Sequence, residues 1–364
     1  MNIDKHIILK VKHGSHSYGL STPESDLDIK GIFVAPHEYY HGFLHHIEQV
    51  EEKIPNDSVV YELRKFFRLA TDCNPNIIEV LFTDETDILT CTSVGRALLQ
   101  HNHLFLSQKA KHTFAGYAHS QLQRIRGHWK WLKSPPNAPP SRTDFGLPAN
   151  TLLSPADLGV AEATIRKQLD RWDIDWEQFD EATKISIQDN ISRLIGTLSV
   201  YAGFDKHVDS FMYRSAAREV GFSDNLIEKL EAEKKFSSAK NEWDQYQNWV
   251  KTRNPKRAAL EAKYGYDTKH GMHLVRLMRM GKEILETGKV IVKRPDREEL
   301  LAIRHHGIWS YEQLVSYAED KQKEIDSIYL AGISPLPKAP NRVFLDKWCR
   351  DISEAAHESA KCDT

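Results

Sequence analysis

Two short clusters in the sequence carry the residue types that chemistry needs. The first is Gly14-Ser15-His16-Ser17-Tyr18-Gly19, followed by Ser25-Asp26-Leu27-Asp28. Gly14 permits a tight turn where backbone must approach a ligand. Ser15 adds a hydroxyl and an N–H at that turn, and N–H groups presented this way cradle phosphates. Asp26 and Asp28 are two apart on an expected strand, so both carboxylates face one side. Adjacent carboxylates repel unless a cation sits between them. Hard oxygen donors of this kind suit Mg2+ shared with substrate phosphates. A lone Asp-x-Asp is more often a solvated turn. Joined to the Gly-Ser turn, it reads as a nucleotide–metal site.

The second cluster lies on an expected helix over 267–286, opened by Asp267 as N-cap. Lys269, His270, His273, Arg276 and Arg279 recur there at helical spacing. A cationic stripe of this kind grips triphosphate or RNA phosphate. The plain alternative is a solvated face over a core side of Leu274, Leu277 and Met278.

The elements that must position these clusters are legible in outline. Residues 6–12 and 27–34 read as strands around the Gly/Ser/Thr/Pro-rich connection, and 58–62 as a third short strand. From Leu63 the period becomes helical, and NIIEVLF at 76–82 fits either type. From Ser93 almost everything reads helical, through 93–133, 155–202, 208–250 and 255–287. Ser310-Tyr311-Glu312-Gln313 makes a capping box for a further helix. Pro-rich punctuation falls at 134–155 and 335–340. The expected fold class is α+β. A mixed-sheet catalytic domain over 1–105 precedes an α-helical domain over 106–335 that closes a cleft. Residues 336–364 form a tail or a docked helix, and Phe344, Leu345 and Trp348 favour docking.

Composition narrows the function. The 49 Lys+Arg and 51 Asp+Glu leave a net charge of −2, which excludes nothing about partners. The charge is segregated, however. No acidic residue lies between Asp87 and Asp144, and basic zones span 96–142 and 251–309. An acidic block (Asp157, Glu162, Asp170, Asp173, Asp175, Glu177, Asp180, Glu181) separates them. Such zones are what a polyanion needs, although solvated helix faces produce them too. No apolar run approaches the roughly 18 residues of a membrane helix. Cys73, Cys91, Cys349 and Cys362 form no CxxC pair, which argues against structural zinc and a disulfide framework. A cytoplasmic protein is the expectation. Trp129 and Trp131 in HWKWLK could stack unpaired bases, or serve as core. Arg142 sits in a Pro-rich loop that either folds over the site or simply links elements.

The segment GSHSYGLSTPESDLDIKGIFV resembles the polymerase-β-like nucleotidyltransferase superfamily, whose signature is a Gly-Ser turn and, about ten residues on, an Asp-x-Asp strand. Further blocks narrow the likeness to a family of predicted nucleotidyltransferases linked to RNA repair: YELRKFFRLATDCNPNIIEVLF, FAGYAHSQL, RTDFGLP and YDTKHGMHLVRLMRMGKEIL. Together they span about residues 5 to 317. The resemblance implies transfer of a nucleoside monophosphate from an NTP to a hydroxyl, with pyrophosphate release. It implies two Mg2+ ions on Asp26, Asp28 and a third carboxylate on a neighbouring strand. Glu62 is the candidate for that carboxylate and for the base, and Asp57 its rival; Glu51 and Glu52 look like a solvated pair. Gly14, Ser15, Tyr18, Lys269, His270, His273 and Arg276 would bind the nucleotide. An RNA 3′ end, tRNA-like, is the expected acceptor. Alternatives are a protein or small-molecule hydroxyl, or a nucleotide- or RNA-binding protein without turnover. Which NTP, template use and oligomeric state stay open.

Overall fold

The computed structural model describes residues 3–41, 43–52, 57–150, 155–171, 213–215 and 217–362. They form two compact units. One combines Met1–Pro135 with Arg253–Thr364, and the other spans Pro136–Thr252.

The first unit is built on a five-stranded mixed sheet: β1 (Ile7–His13), β2 (Asp28–Phe33), β3 (Gln49–Glu52), β4 (Asp57–Glu62) and β5 (Ile88–Cys91). The spatial order is β3-β4-β2-β1-β5. β2 and β4 run parallel, whereas β1 lies antiparallel to both β2 and β5, and β3 antiparallel to β4. The sequence reading had marked only β1, β2 and β4. β3 and β5 are four-residue edge strands, and short mixed-polarity edges carry little alternation to detect.

Twelve α-helices are described: α1 (Glu38–His41), α2 (Leu63–Thr71), α3 (Pro75–Leu81), α4 (Ser93–Gln100), α5 (Ala110–Lys133), α6 (Pro155–Arg171), α7 (Asp224–Thr252), α8 (Pro255–Tyr264), α9 (Thr268–Thr287), α10 (Arg297–His306), α11 (Tyr311–Leu330) and α12 (Arg342–Cys362). Their starts follow local chemistry. Asn74 caps α3 with Pro75 at its first position, Asp267 caps α9 through the N–H groups of Lys269 and His270, and Ser310 with Gln313 closes a capping box on α11. The ambiguous NIIEVLF is thus helical, because the Asn-Pro start fixes a helix N-terminus.

α9 is the axis of the unit. Met272, Leu274, Val275, Leu277, Met278, Met280, Ile284 and Leu285 are all buried on it. It packs along α5 and also against α10 and α11. The main core joins this bundle to one sheet face through Leu9, Val11 and Ile32. The opposite face carries a small cluster of Ile7, Phe33, Ala35 and Val60. Leu345, Cys349 and Ile352 seat α12 in the main core, and Trp348 meets Phe67 edge-on.

The second unit holds α6 and α7 around Ile165, Tyr213, Ala217, Ile227 and Leu230. Arg142 is held inside this unit by Glu233 and by the Pro148 carbonyl. The acidic positions Asp173, Asp175, Glu177, Asp180 and Glu181, with residues 172–202, 208–212 and 216 of the helical stretches expected over 155–202 and 208–250, lie outside the described residues. No helix among the described residues is long and apolar enough to cross a membrane.

α4 lies tight on β1. A Cβ at Gly95 would stand 2.2 Å from the Ile8 carbonyl oxygen, and that backbone is held in the sheet. Gly95→Ala should therefore lower the unfolding free energy by about 1–3 kcal/mol, the usual range for overpacking. Urea unfolding with an unchanged slope and a lower midpoint is the expected result.

Candidate active site

The turn between β1 and β2 is folded by its own sequence. Gly14 takes φ +65°, and its carbonyl accepts from the Tyr18 N–H at 3.1 Å and the Ser17 hydroxyl at 3.0 Å. Leu20 N–H donates to the Ser15 carbonyl at 2.8 Å, and Arg294 N–H donates to the Tyr18 carbonyl at 3.0 Å. Gly14 is needed for space as well as dihedral. A Cβ there would meet Asp28 Oδ2 at 2.1 Å, so the Asp28 carboxylate lies against bare backbone.

Strand register then gathers the acids. Asp28 pairs across the ladder with His13 on β1 and with Asp57 on β4. Side chains alternate faces, so His13, Asp28, Lys30, Asp57 and Val59 share the face that meets α3 and α9. Asp26 sits in the segment just before β2, exposed at the cleft mouth. The resulting cleft has a volume of about 380 Å3. Gly14, Ser15, Tyr18, Asp26, Asp28, Asp57, Lys269 and His273 all line it, with Asn76 of α3 and Arg304 of α10.

Glu62 is not brought to this cleft. It pairs with Phe33 at the far end of β4 and belongs to the other face. Five residues of strand put it about 17 Å from Asp57. There it caps α2, accepting from Arg64 N–H at 3.0 Å and from the Tyr40 hydroxyl at 2.6 Å. The position opposite Asp28 is filled by Asp57.

The expected cationic stripe on α9 is also divided. Arg276 is buried, its guanidinium paired with Glu79 and lying 3.7 Å over the Tyr18 ring. Arg279 pairs with Asp296 and Glu299. His270 Nδ1 meets Gln121 Oε1 at 2.7 Å, and burial lowers its pKa to about 4 despite the opposing charge of Asp267. Burial, then Arg276 and Lys269, hold His273 well below the usual imidazole range. Lys269 alone of the set remains an exposed cation at the cleft.

Three contributors escaped the sequence reading. Glu79 on α3 is 1% exposed and joins Arg276, the Tyr18 hydroxyl at 2.6 Å and His13 Nε2 at 3.4 Å. Burial would raise its pKa, yet the charge of Arg276 and the His13 and Tyr18 contacts hold it well below the carboxylate range. Lys30 points along the same face, and burial brings its ammonium down to about 8. Arg304 adds a second cation from α10. A lone Glu inside the apolar run NIIEVLF was the available signal for the first.

Asp28 fits a hard cation. Desolvation raises its pKa, and the Asp57 charge raises it further. A cation between the two would relieve both costs. A tighter acid–histidine cluster exists at His128, Glu261 and Asp267, with ligand atoms within 4.8 Å of one another. Its carboxylates are already matched: Glu261 takes Arg253, and Asp267 takes Arg257 and two backbone N–H groups. Arginines in those places would repel a metal ion.

Residues 2–133 match the model of the RNA repair pathway DNA polymerase beta family, which bears out the resemblance over the segment holding the turn and all three aspartates. The chain is 36% identical over 128 residues to the "Uncharacterized 38.9 kDa protein in nrdC-mobD intergenic region" of Enterobacteria phage T4, covering 32% of this chain and 38% of that protein. It is 23% identical over 200 residues to the "Uncharacterized protein YcgL" of Bacillus subtilis (strain 168), covering 50% of this chain and 75% of that protein. No solved structure matches the chain.

Two stability measurements follow from the network. Glu79→Gln strands Arg276 in the core and should cost about 3–5 kcal/mol, read from denaturant unfolding. The pH dependence has a fixed sign. The unfolded chain protonates His270 near 6.5, while the folded chain resists until about 4. The unfolded state then binds more protons in that window, so stability falls as pH drops through it. His270→Gln should flatten the decline in urea midpoint between pH 7 and 5.

Proposed function

We propose that the chain is a Mg2+-dependent nucleotidyltransferase that moves a nucleoside monophosphate from an NTP to the hydroxyl of an RNA 3′ end, releasing pyrophosphate. The observation that carries this reading is the convergence of Asp26, Asp28 and Asp57 with the Gly14–Ser15 turn on one cleft. The match to an RNA repair polymerase family supports it.

Each group then has a task that its position allows. Bound to the aspartates, Mg2+ would supply charge neutralisation for the attacking and leaving oxygens. Asp57 sits where a third carboxylate would accept the proton of the acceptor hydroxyl as its oxygen attacks the α-phosphorus. The bond between that phosphorus and the α–β bridging oxygen breaks, and pyrophosphate departs. Ser15 and the Gly14 backbone hold the outgoing phosphates. Lys269 and Arg304 offset the charge that builds on them. Arg276 acts through Tyr18, fixing the turn rather than touching phosphate. His273 and His270 stay neutral, so they offer hydrogen bonds without adding charge.

The test is pyrophosphate release from each NTP with Mg2+, with and without total tRNA. Wild-type release should require tRNA, and Asp26→Ala with Asp28→Ala should abolish it. Asp57→Asn should slow the reaction about 10²–10⁴-fold. Glu62→Gln should leave the rate per folded molecule nearly unchanged. A severe loss in Glu62→Gln with a mild one in Asp57→Asn would reverse the assignment of the third carboxylate.

A further inference from the structure

Beside the carboxylate cleft lies a second compartment of about 470 Å3. The two share Tyr18, Asn76, Lys269 and His273. The second adds Tyr117, Gln121 and Arg124 from α5 and Arg257 from α8. Its size suits one nucleotide-sized ligand.

The charges lining it do not cancel. Arg276 is matched by Glu79, and Arg257 by Asp267. Among the described residues no carboxylate pairs with Arg124 or Lys269. The cations depress one another. After desolvation, Arg257 and Arg304 lower Lys269, and Arg257 and Arg124 lower His270. Like charges gathered around a cavity raise its energy until an anion enters. The Nε–H groups of Arg257 and Arg276 are buried without a hydrogen-bond partner, and both residues line this compartment. The remaining lining is neutral and amphipathic: His270 held by Gln121, and Tyr117 accepting from Asn74 at 3.1 Å. A surplus of cation beside a ring and amides rejects an amine-rich acceptor. It suits a phosphate carrying a nucleoside.

We propose that this compartment binds the backbone phosphate next to the acceptor's terminal hydroxyl, with Arg124 as the contact and a single-stranded nucleic-acid end as the acceptor. The inference rests on the nucleotidyl-transfer reading of the adjoining cleft. Lys269, common to both compartments, would lie between the two phosphate groups. The hydroxyl would enter the carboxylate cleft past Asn76 and His273. Arg124 is exposed on a helix surface, so replacing it leaves the core intact.

The experiment uses the full chain and a fluorescein-labelled RNA oligonucleotide ending in a 3′ hydroxyl. Anisotropy titrations without NTP, over a salt series, compare wild type, Arg124→Glu and Lys133→Glu. Lys133 ends the same helix but lines neither compartment. Arg124→Glu should weaken RNA binding about tenfold and shorten the salt dependence by about one phosphate contact. Lys133→Glu should stay within about twofold of wild type. Calorimetric titration of Mg2+–NTP should be the same for wild type and Arg124→Glu. Equal effects of the two variants on RNA, or none from Arg124→Glu, would overturn the proposal. So would a loss of NTP affinity in Arg124→Glu, which would give the compartment to the NTP. If no variant binds Mg2+–NTP while RNA binding still depends on Arg124, the compartment stands and the nucleotidyl-transfer reading falls.

Discussion

One buried carboxylate sets the geometry of the cleft. Glu79 is sealed in the protein, where an unmatched negative charge costs several kcal/mol. It is matched from three directions: Arg276 on α9, the Tyr18 hydroxyl in the Gly-Ser turn and His13 at the end of β1. Each partner belongs to a different element, and each must stay in place for the charge to remain satisfied. The turn is therefore fastened to α3 and α9 through a side chain that is almost wholly buried. Arg276 completes the clasp by lying over the Tyr18 ring, a cation–π contact strengthened by desolvation. The backbone at Gly14 and Ser15 is thus held in place by residues outside the turn as well as by its own hydrogen bonds.

The same clasp explains how charge is distributed on α9. A helix face with five basic or imidazole residues would, if all were charged and free, repel itself and scatter a bound anion among equivalent sites. Instead Arg276 and Arg279 are neutralised by acids on other elements, and burial keeps His270 and His273 uncharged. What remains at the cleft is Lys269, with Arg304 entering from α10. Lys30 joins them from β2, and both Lys269 and Lys30 act on the Asp28 carboxylate, opposing the rise that its burial causes. The cleft thus sets a few cations beside a group of carboxylates instead of a continuous basic face.

Much of this was legible in the residues, and the gaps have physical reasons. The Gly-Ser turn and the gathering of Asp26 and Asp28 beside it could be read because a close backbone approach imposes glycine at a turn and a short connection keeps the next strand's start nearby. The cap at Asp267 and the capping box at Ser310 were equally local. Partner identity was not. Arg276 and Lys269 look alike in sequence, but one is buried against an acid nearly two hundred positions away and the other meets solvent. Glu79 was hidden inside an apolar run, since only the fold reveals that Arg276, Tyr18 and His13 converge on it. The edge strands β3 and β5 were missed because four residues on a sheet margin are under little pressure to alternate.

The choice between Asp57 and Glu62 turns on register, which a single sequence does not state. Both residues end the same strand, one at each terminus. An odd separation places their side chains on opposite faces, so at most one of them can share a face with Asp28. Parallel pairing of β2 and β4 decides which. Parallel strands enter the sheet at the same end, and Asp28 and Asp57 are both first residues. Had β4 run the other way in the same span, Glu62 would have stood opposite Asp28. The chain between Phe33 and Asp57 crosses back to the starting end of β2 before β4 begins, passing through α1 and β3. That return path is what puts two carboxylates side by side at the mouth of the turn. It also frees Glu62 to cap α2, so one six-residue strand supplies a carboxylate to the cleft and another to the helix that follows it.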